Sequence, residues 1–147
     1  MLEDEIESYI LDNFQGVIKK NTFGESSFFY NPNRVLPNGV YFCTIKNRDG
    51  KNDKASNLGR TDIFRFNLGI SKDSFKQLFN QNFKRPLKGE IISGNFDFQK
   101  LDLITPHPIY GWMSWVSILN PSTNSFKNME YLLIESYKLA ISKFNSK

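Results

Sequence analysis

Apolar residues recur at helical spacing at the two ends of the chain, and between those ends the period falls to that of β-strands. Leu2, Ile6, Tyr9, Ile10 and Phe14 stand on a background of acids, which reads as an amphipathic helix closing near Gly16. At the other end Phe126, Met129, Leu132, Leu133, Tyr137, Ala140, Ile141 and Phe144 line one side of a helix that starts after Asn120-Pro121-Ser122. A helix with such a stripe should pack on a sheet face.

Between the helices, Val17 to Lys20, Ser27 to Tyr30 and Gly39 to Lys46 are β-branched or aromatic runs separated by Gly, Pro and Asn. Asn31-Pro32-Asn33 and Leu36-Pro37-Asn38-Gly39 supply the turn between the last two, because proline presets φ while Asn and Gly accept positive φ. Asn47 to Arg60 is polar and has no apolar period, so it reads as a long exposed loop of the kind that often carries function. Asp62 to Leu68 alternates, which puts Arg65 and Asn67 on the opposite face from Phe64 and Phe66. Ser71 is a suitable N-cap for a short helix over Lys72 to Phe79. Asn80 to Gly94 is irregular apart from Glu90 to Ile92, which could pair as a short strand. Leu101 to Thr105 and Trp112 to Leu119 then read as two strands joined by the rigid turn Pro106-His107-Pro108-Ile109-Tyr110-Gly111. This order contains no regular βαβ alternation. It implies an α+β fold, an antiparallel sheet of about five to six strands with an N-terminal, a short middle and a long C-terminal helix mostly on one side.

At 147 residues, 39% of them hydrophobic and 23% charged, the chain can bury one core. No repeat, low-complexity tract or linker divides it, so residues 1–147 are expected to form a single domain. That excludes a peptide, a disordered chain and a multidomain enzyme. No apolar run approaches the roughly 20 residues of a spanning helix, and the first residues are acidic rather than a basic signal. A cytoplasmic location without a membrane partner is the expectation. Residues 1–13 hold five acids and no Lys or Arg, leaving ten acids against 19 basic residues, a net +9, in the remainder. Such a body either attracts phosphate or acidic partners or is simply a lysine-rich solvated surface, since the basic residues form only short clusters.

The sequence has no Gly-rich phosphate loop, no Gly-x-Ser-x-Gly elbow, no His-Glu-x-x-His and no Cys-x-x-Cys. Its single cysteine, Cys43, excludes an internal disulfide and cannot by itself build a thiolate zinc site; in the run Val40 to Ile45 it reads as a buried thiol. No metal site and no cofactor are expected: a carboxylate-only magnesium or calcium site stays open in principle, but no calcium-loop spacing supports it. The most unusual stretch is Thr105 to Trp115, where two prolines restrict His107 and where Tyr110, Trp112 and Trp115 add aromatic faces suited to an amphipathic ligand. His107 is the candidate general acid or base, or else a turn histidine bonded to backbone. A second constellation is Asp53, Ala55, Ser56, Asn57 and Arg60, continuing into Arg65 and Asn67. If the loop folds back on that strand, Arg60 and Arg65 offer two planar forks for carboxylate or phosphate; an Asp53–Arg60 ion pair that merely orders the loop is the alternative. Aromatic and basic residues interleave at Phe64-Arg65-Phe66 and at Asn82-Phe83-Lys84-Arg85, a weak signal for stacking bases.

The segments Phe28-Phe29-Tyr30-x-Pro32-x-Arg34-x-Leu36-Pro37, Asp53-x-Ala55-Ser56-x-Leu58-x-Arg60 and His107-Pro108-x-Tyr110-Gly111-Trp112-Met113-x-Trp115-Val116 resemble a bacterial family of small single-domain proteins of unknown function. The chain differs from that pattern at Gly59, where an acidic residue is more common. The helix, antiparallel meander and terminal helix are also similar in outline to YjbR-like α+β proteins, some described as DNA-binding. These resemblances imply a fold and a candidate site but no reaction.

Three functions are therefore expected to compete. The first is a small binding module whose pocket, lined by Asp53, Arg60, Arg65, His107, Tyr110 and Trp112, takes a small anionic or aromatic ligand. The second is an enzyme using His107 as general acid or base with Arg60 or Arg65 stabilising negative charge. The third is nucleic-acid binding by the basic body.

Overall fold

A computed structural model describes residues 1–147. The elements are α1 (Glu3–Asn13), β1 (Val17–Thr22), β2 (Glu25–Tyr30), β3 (Val40–Lys46), β4 (Arg65–Gly69), α2 (Lys72–Phe79), β5 (Thr105–Pro106), β6 (Trp115–Leu119) and α3 (Thr123–Asn145). One-turn 3-10 helices occupy Pro32–Arg34 and Gly111–Met113. The six strands form one sheet in the order β1-β2-β3-β4-β6-β5, antiparallel at every step. The fold is α+β with three helices, and no helix is long and apolar enough to cross a membrane.

Local chemistry explains the boundaries. Ser71 and Ser122 each accept a hydrogen bond from the backbone N–H three residues on, Ser74 at 3.1 Å and Ser125 at 3.0 Å, and so start α2 and α3. Glu5 accepts from Leu2 N at 2.7 Å and closes the first turn of α1. Between β2 and β3, Asn31 donates to Leu36 O at 2.6 Å and accepts from Leu36 N at 3.0 Å, which ties the turn together. Gly39 completes it at φ +88°, where an added Cβ would lie 2.5 Å from Tyr30 O.

All three helices contribute to one cluster of 20 buried side chains against a single face of the sheet. Phe66 and Leu68 of β4, Val116 and Ile118 of β6, and Cys43 and Ile45 of β3 meet Ile6 and Ile10 of α1 and Phe126, Met129, Leu132 and Leu133 of α3. Each buried Leu or Ile of this set contributes about 1.5–3 kcal/mol. Cys43 is fully buried, and burial pushes its thiol well above the ordinary range, so it packs as an apolar group.

Strand β3 is irregular at one residue. Phe28 pairs with Cys43 but Phe29 pairs with Tyr41, so Phe42 is an extra residue, a β-bulge. Phe42 and Cys43 both join the helix-side core, and the period of two is broken between Thr44 and Tyr41. The Ser136 hydroxyl of α3 lies within hydrogen-bond reach of the carbonyls of Phe42, at 3.2 Å, and Gly69, donating its single proton to one at a time.

Five expectations need correction. Residues 101–105 form no full strand: Asp102 turns at φ +60°, leaving an isolated Leu101–Leu119 bridge and the two-residue β5. Residues 112–114 are a 3-10 turn ending at Ser114, φ +66°, so β6 begins at Trp115. Residues 90–92 make no strand and are tied instead by one bond from Ile92 N to Pro108 O, 2.8 Å. The loop over residues 47–60 is not simply exposed, because Ser56 and Leu58 are buried beneath it. Asp62, at φ +59°, also delays the start of β4 to Arg65, while Asn120 clamps the entry by accepting from Phe64 N and donating to Asp62 O, both at 2.8 Å.

Candidate functional site

The sheet face turned away from the helices is polar and yet buried. Alternation places Arg65 and Asn67 of β4 and Ser117 of β6 there, beside Thr44 of β3, and all four are buried along with Thr105 and His107. The loop between β3 and β4 and the turn between β5 and β6 cover this row, so its polar atoms must satisfy one another.

They do so around Arg65, which is wholly inaccessible to solvent. Its Nε donates to Asn67 Oδ1 at 2.9 Å, its Nη1 to Asp53 Oδ1 at 2.9 Å and Ser56 Oγ at 3.0 Å, and its Nη2 to Asp53 Oδ2 at 2.5 Å. The remaining Nη2 proton points at His107 Nε2, 3.3 Å away. Asn67 Oδ1 takes a second bond from Ser117 Oγ at 2.7 Å, and Asn67 Nδ2 donates to Thr44 Oγ1 at 2.9 Å. All five guanidinium protons are therefore directed at protein atoms, and Arg65 organises the site rather than offering a free fork. Burial alone would raise the Asp53 carboxyl, but the hydrogen bonds and charge of Arg65, aided by the field of Lys46, outweigh it and hold Asp53 below the usual carboxylate range.

His107 is held as firmly. Its backbone N–H donates to Trp115 O at 2.9 Å, and its Nδ1 accepts from the N–H groups of Ile109 and Tyr110, both at 3.1 Å. Three N–H donors thus face a ring that in its neutral form has one free lone pair, and either tautomer, assigned from these bonds, sets one donor against another. Burial, then the Arg65 charge, keep the imidazole well below its ordinary pKa against the weaker opposing pull of Asp53, so the ring is neutral. Tyr110 leans on it with ring centroids 4.9 Å apart. Nδ1 is committed to two backbone N–H groups and Nε2 faces the buried Arg65 guanidinium, which leaves His107 poorly placed as a general base.

Above this floor lies a cleft of about 340 Å³. Ser27, Thr44 and His107 form its polar base, Phe29, Tyr41, Tyr110 and Trp115 its aromatic lining, and Glu25 its one carboxylate. The bulge at Phe42 is what brings Tyr41 to the same face as Thr44. Trp115 stacks on Tyr41 at 5.3 Å and 28°, and it can do so because its cross-strand partner is Gly69, where a Cβ would lie 2.9 Å from the indole. Burial, then Tyr110 and Glu25 nearby, raise the Tyr41 hydroxyl above its ordinary value, as expected where these three groups converge.

Beside the cleft, and sharing Glu25, His107 and Tyr110 with it, lies an open trough of about 810 Å³. Lys46, Lys51, Arg85 and Lys88 line the trough, opposed by Glu25, Glu90 and the already paired Asp53. Arg85 lies over the Trp112 ring at 5.2 Å. A concave site of this size, with aromatic walls at one end and a basic margin at the other, has the dimensions of small-molecule pockets.

The sequence-derived candidates are only partly assembled. Asp53, Arg65, His107, Tyr110 and Trp112 surround or support the cleft and trough. Arg60 does not: it donates to the carbonyls of Ser56, Asn57 and Gln99, each at 3.0 Å, and borders a different groove beside Arg48 and Asp62. The two arginines form no double fork, and Asp53 pairs with Arg65, not Arg60. Sequence reasoning missed Glu25, Ser27, Phe29, Tyr41, Thr44 and Lys46. The alternation Glu25-x-Ser27-x-Phe29 was a usable signal for one face of a strand, whereas Tyr41 had none, because the bulge that re-aims it depends on the partner strand.

The model of a family of unknown function (DUF6194) matches residues 1–147. No curated protein and no solved structure matches the chain.

Proposed function

The chain belongs to the DUF6194 family, whose function is not established, and we propose from its own geometry that it is a one-domain binding module for a small ligand. The ligand's anionic group lies in the basic trough and the rest of it enters the aromatic cleft. The observation that carries this reading is that the two compartments adjoin: Lys46, Lys51, Arg85 and Lys88 border one, Phe29, Tyr41, Tyr110 and Trp115 the other, and Glu25, His107 and Tyr110 belong to both. The buried Arg65 network serves as a preorganised floor that fixes His107 and the covering loop without binding ligand itself. Catalysis by His107 is disfavoured because its Nδ1 is committed to two backbone N–H groups and its Nε2 faces the buried Arg65 guanidinium.

Fluorescence of Trp112 and Trp115, which line the trough and the cleft, gives the test. Titration with phenyl phosphate at low ionic strength is expected to produce a saturable change. It should be lost in the double variant Lys46→Glu, Arg85→Glu and retained in Arg60→Ala. A response that survives the charge reversal, or disappears with Arg60, refutes this site.

A further inference from the structure

We propose that the aromatic end of the cleft receives an alkylammonium group, so that the ligand is a compact zwitterion whose cation sits against Glu25 and whose phosphate or carboxylate sits in the basic trough. The inference rests on the proposed binding function and adds the ligand's chemical class.

Charge within the cleft decides between the possible occupants. Glu25 is the only formally charged side chain lining it, since His107 is a neutral ring. The Glu25 carboxylate has no ion-pair partner: the chain's two ion pairs are Lys19–Glu7 and Arg65–Asp53. Lys46 is its cross-strand neighbour but does not reach it. An anion entering this end would meet a carboxylate. A neutral aromatic ring would strip water from Glu25 and return nothing, which is costly for a charged group. An alkylammonium instead pairs with the carboxylate while its methylene or methyl surface lies against aromatic rings, which attract cations through their negative faces. One of these rings already has an ammonium beside it, Lys20 Nζ standing 5.6 Å from the Phe29 centroid. The opposite polarity of the trough then places the anionic end of the ligand outward.

The test is a set of titrations of the full chain with phosphocholine, choline, inorganic phosphate and phenyl phosphate, followed by tryptophan fluorescence. Phosphocholine is expected to bind at least about tenfold tighter than phenyl phosphate, the size of preference that a partly desolvated cation–π and carboxylate site supplies. Glu25→Gln should erase that preference while leaving phenyl phosphate bound at least as well as before. Tyr110→Ala, at a position 48% exposed and so tolerant of change, should weaken phosphocholine and choline. If phenyl phosphate equals phosphocholine, or if the preference survives Glu25→Gln, the ammonium assignment is overturned and the cleft reading stands. If none of the four probes binds, both are overturned.

Discussion

Asp53 and Arg65 lie 12 residues apart and meet through two parallel hydrogen bonds, so the loop after β3 is fastened to the strand that follows it. Replacing Asp53 with Ala leaves the inaccessible Arg65 guanidinium without its counter-charge. Loss of one partner of a buried pair costs about 3–5 kcal/mol. Urea unfolding of Asp53→Ala is expected to show a midpoint lowered accordingly with an unchanged slope, and a midpoint near that of the parent chain would mean that water reaches Arg65.

His107 sets the acid limit of stability, and the sign follows from its burial. The folded ring has a pKa well below the ordinary 6.5, so below pH 6.5 the unfolded chain binds a proton that the folded chain does not. Stability is thus fully present above that value and falls as the pH drops toward the folded pKa. Asp53, whose folded pKa is depressed from 3.8, adds a second loss only as the pH falls below that value. Because the chain has one histidine, melting temperatures measured between pH 7 and about 5 should decline in the parent chain. They should stay flat over the same interval in His107→Gln, whatever that variant's absolute stability.

Gly69 and Trp115 make a sharper steric case. An added Cβ at residue 69 would stand 2.9 Å and 3.0 Å from two indole carbons, so Gly69→Ala must move Trp115 off its stack on Tyr41. Overpacking of this kind costs about 1–3 kcal/mol. Near-ultraviolet circular dichroism should report the loss of the Tyr41–Trp115 pair, and binding of phosphocholine should weaken with it. An unchanged aromatic spectrum would show that the indole is not wedged over the glycine.

Much of this architecture is legible in the residues alone. The helical stripes at both ends, the serine caps at residues 71 and 122, and the alternation that turns Arg65 and Asn67 away from Phe66 are local patterns, and local patterns survive into the fold. The site is less accessible because its relationships are non-local. Arg60 and Arg65 look equivalent as residue types; only the path of the loop makes one a backbone clamp and the other a buried hub. Positive-φ turns at Asp62, Asp102 and Ser114 cut short three strands whose composition runs on past them. Glu25 draws no notice in the sequence because a carboxylate at a strand end is ordinary until a cleft is seen to close around it.

The extra residue in β3 sets how much change in length this strand can absorb. Deleting Phe42 would restore an unbroken period of two and leave Tyr41 opposite Phe29 on the cleft face, removing only the Phe42 side chain from the helix-side core while every other pairing in the sheet persists. A homologue shorter by one residue at Phe42 would therefore share this fold and keep the cleft, whereas a register that drew Phe42 into the ladder without shortening the strand would turn Tyr41 under α3. The strand thus absorbs a one-residue change in length at that single place without losing the site, and the residue a relative places opposite Phe29, more than the length of its strand, tells whether this wall of the cleft is kept.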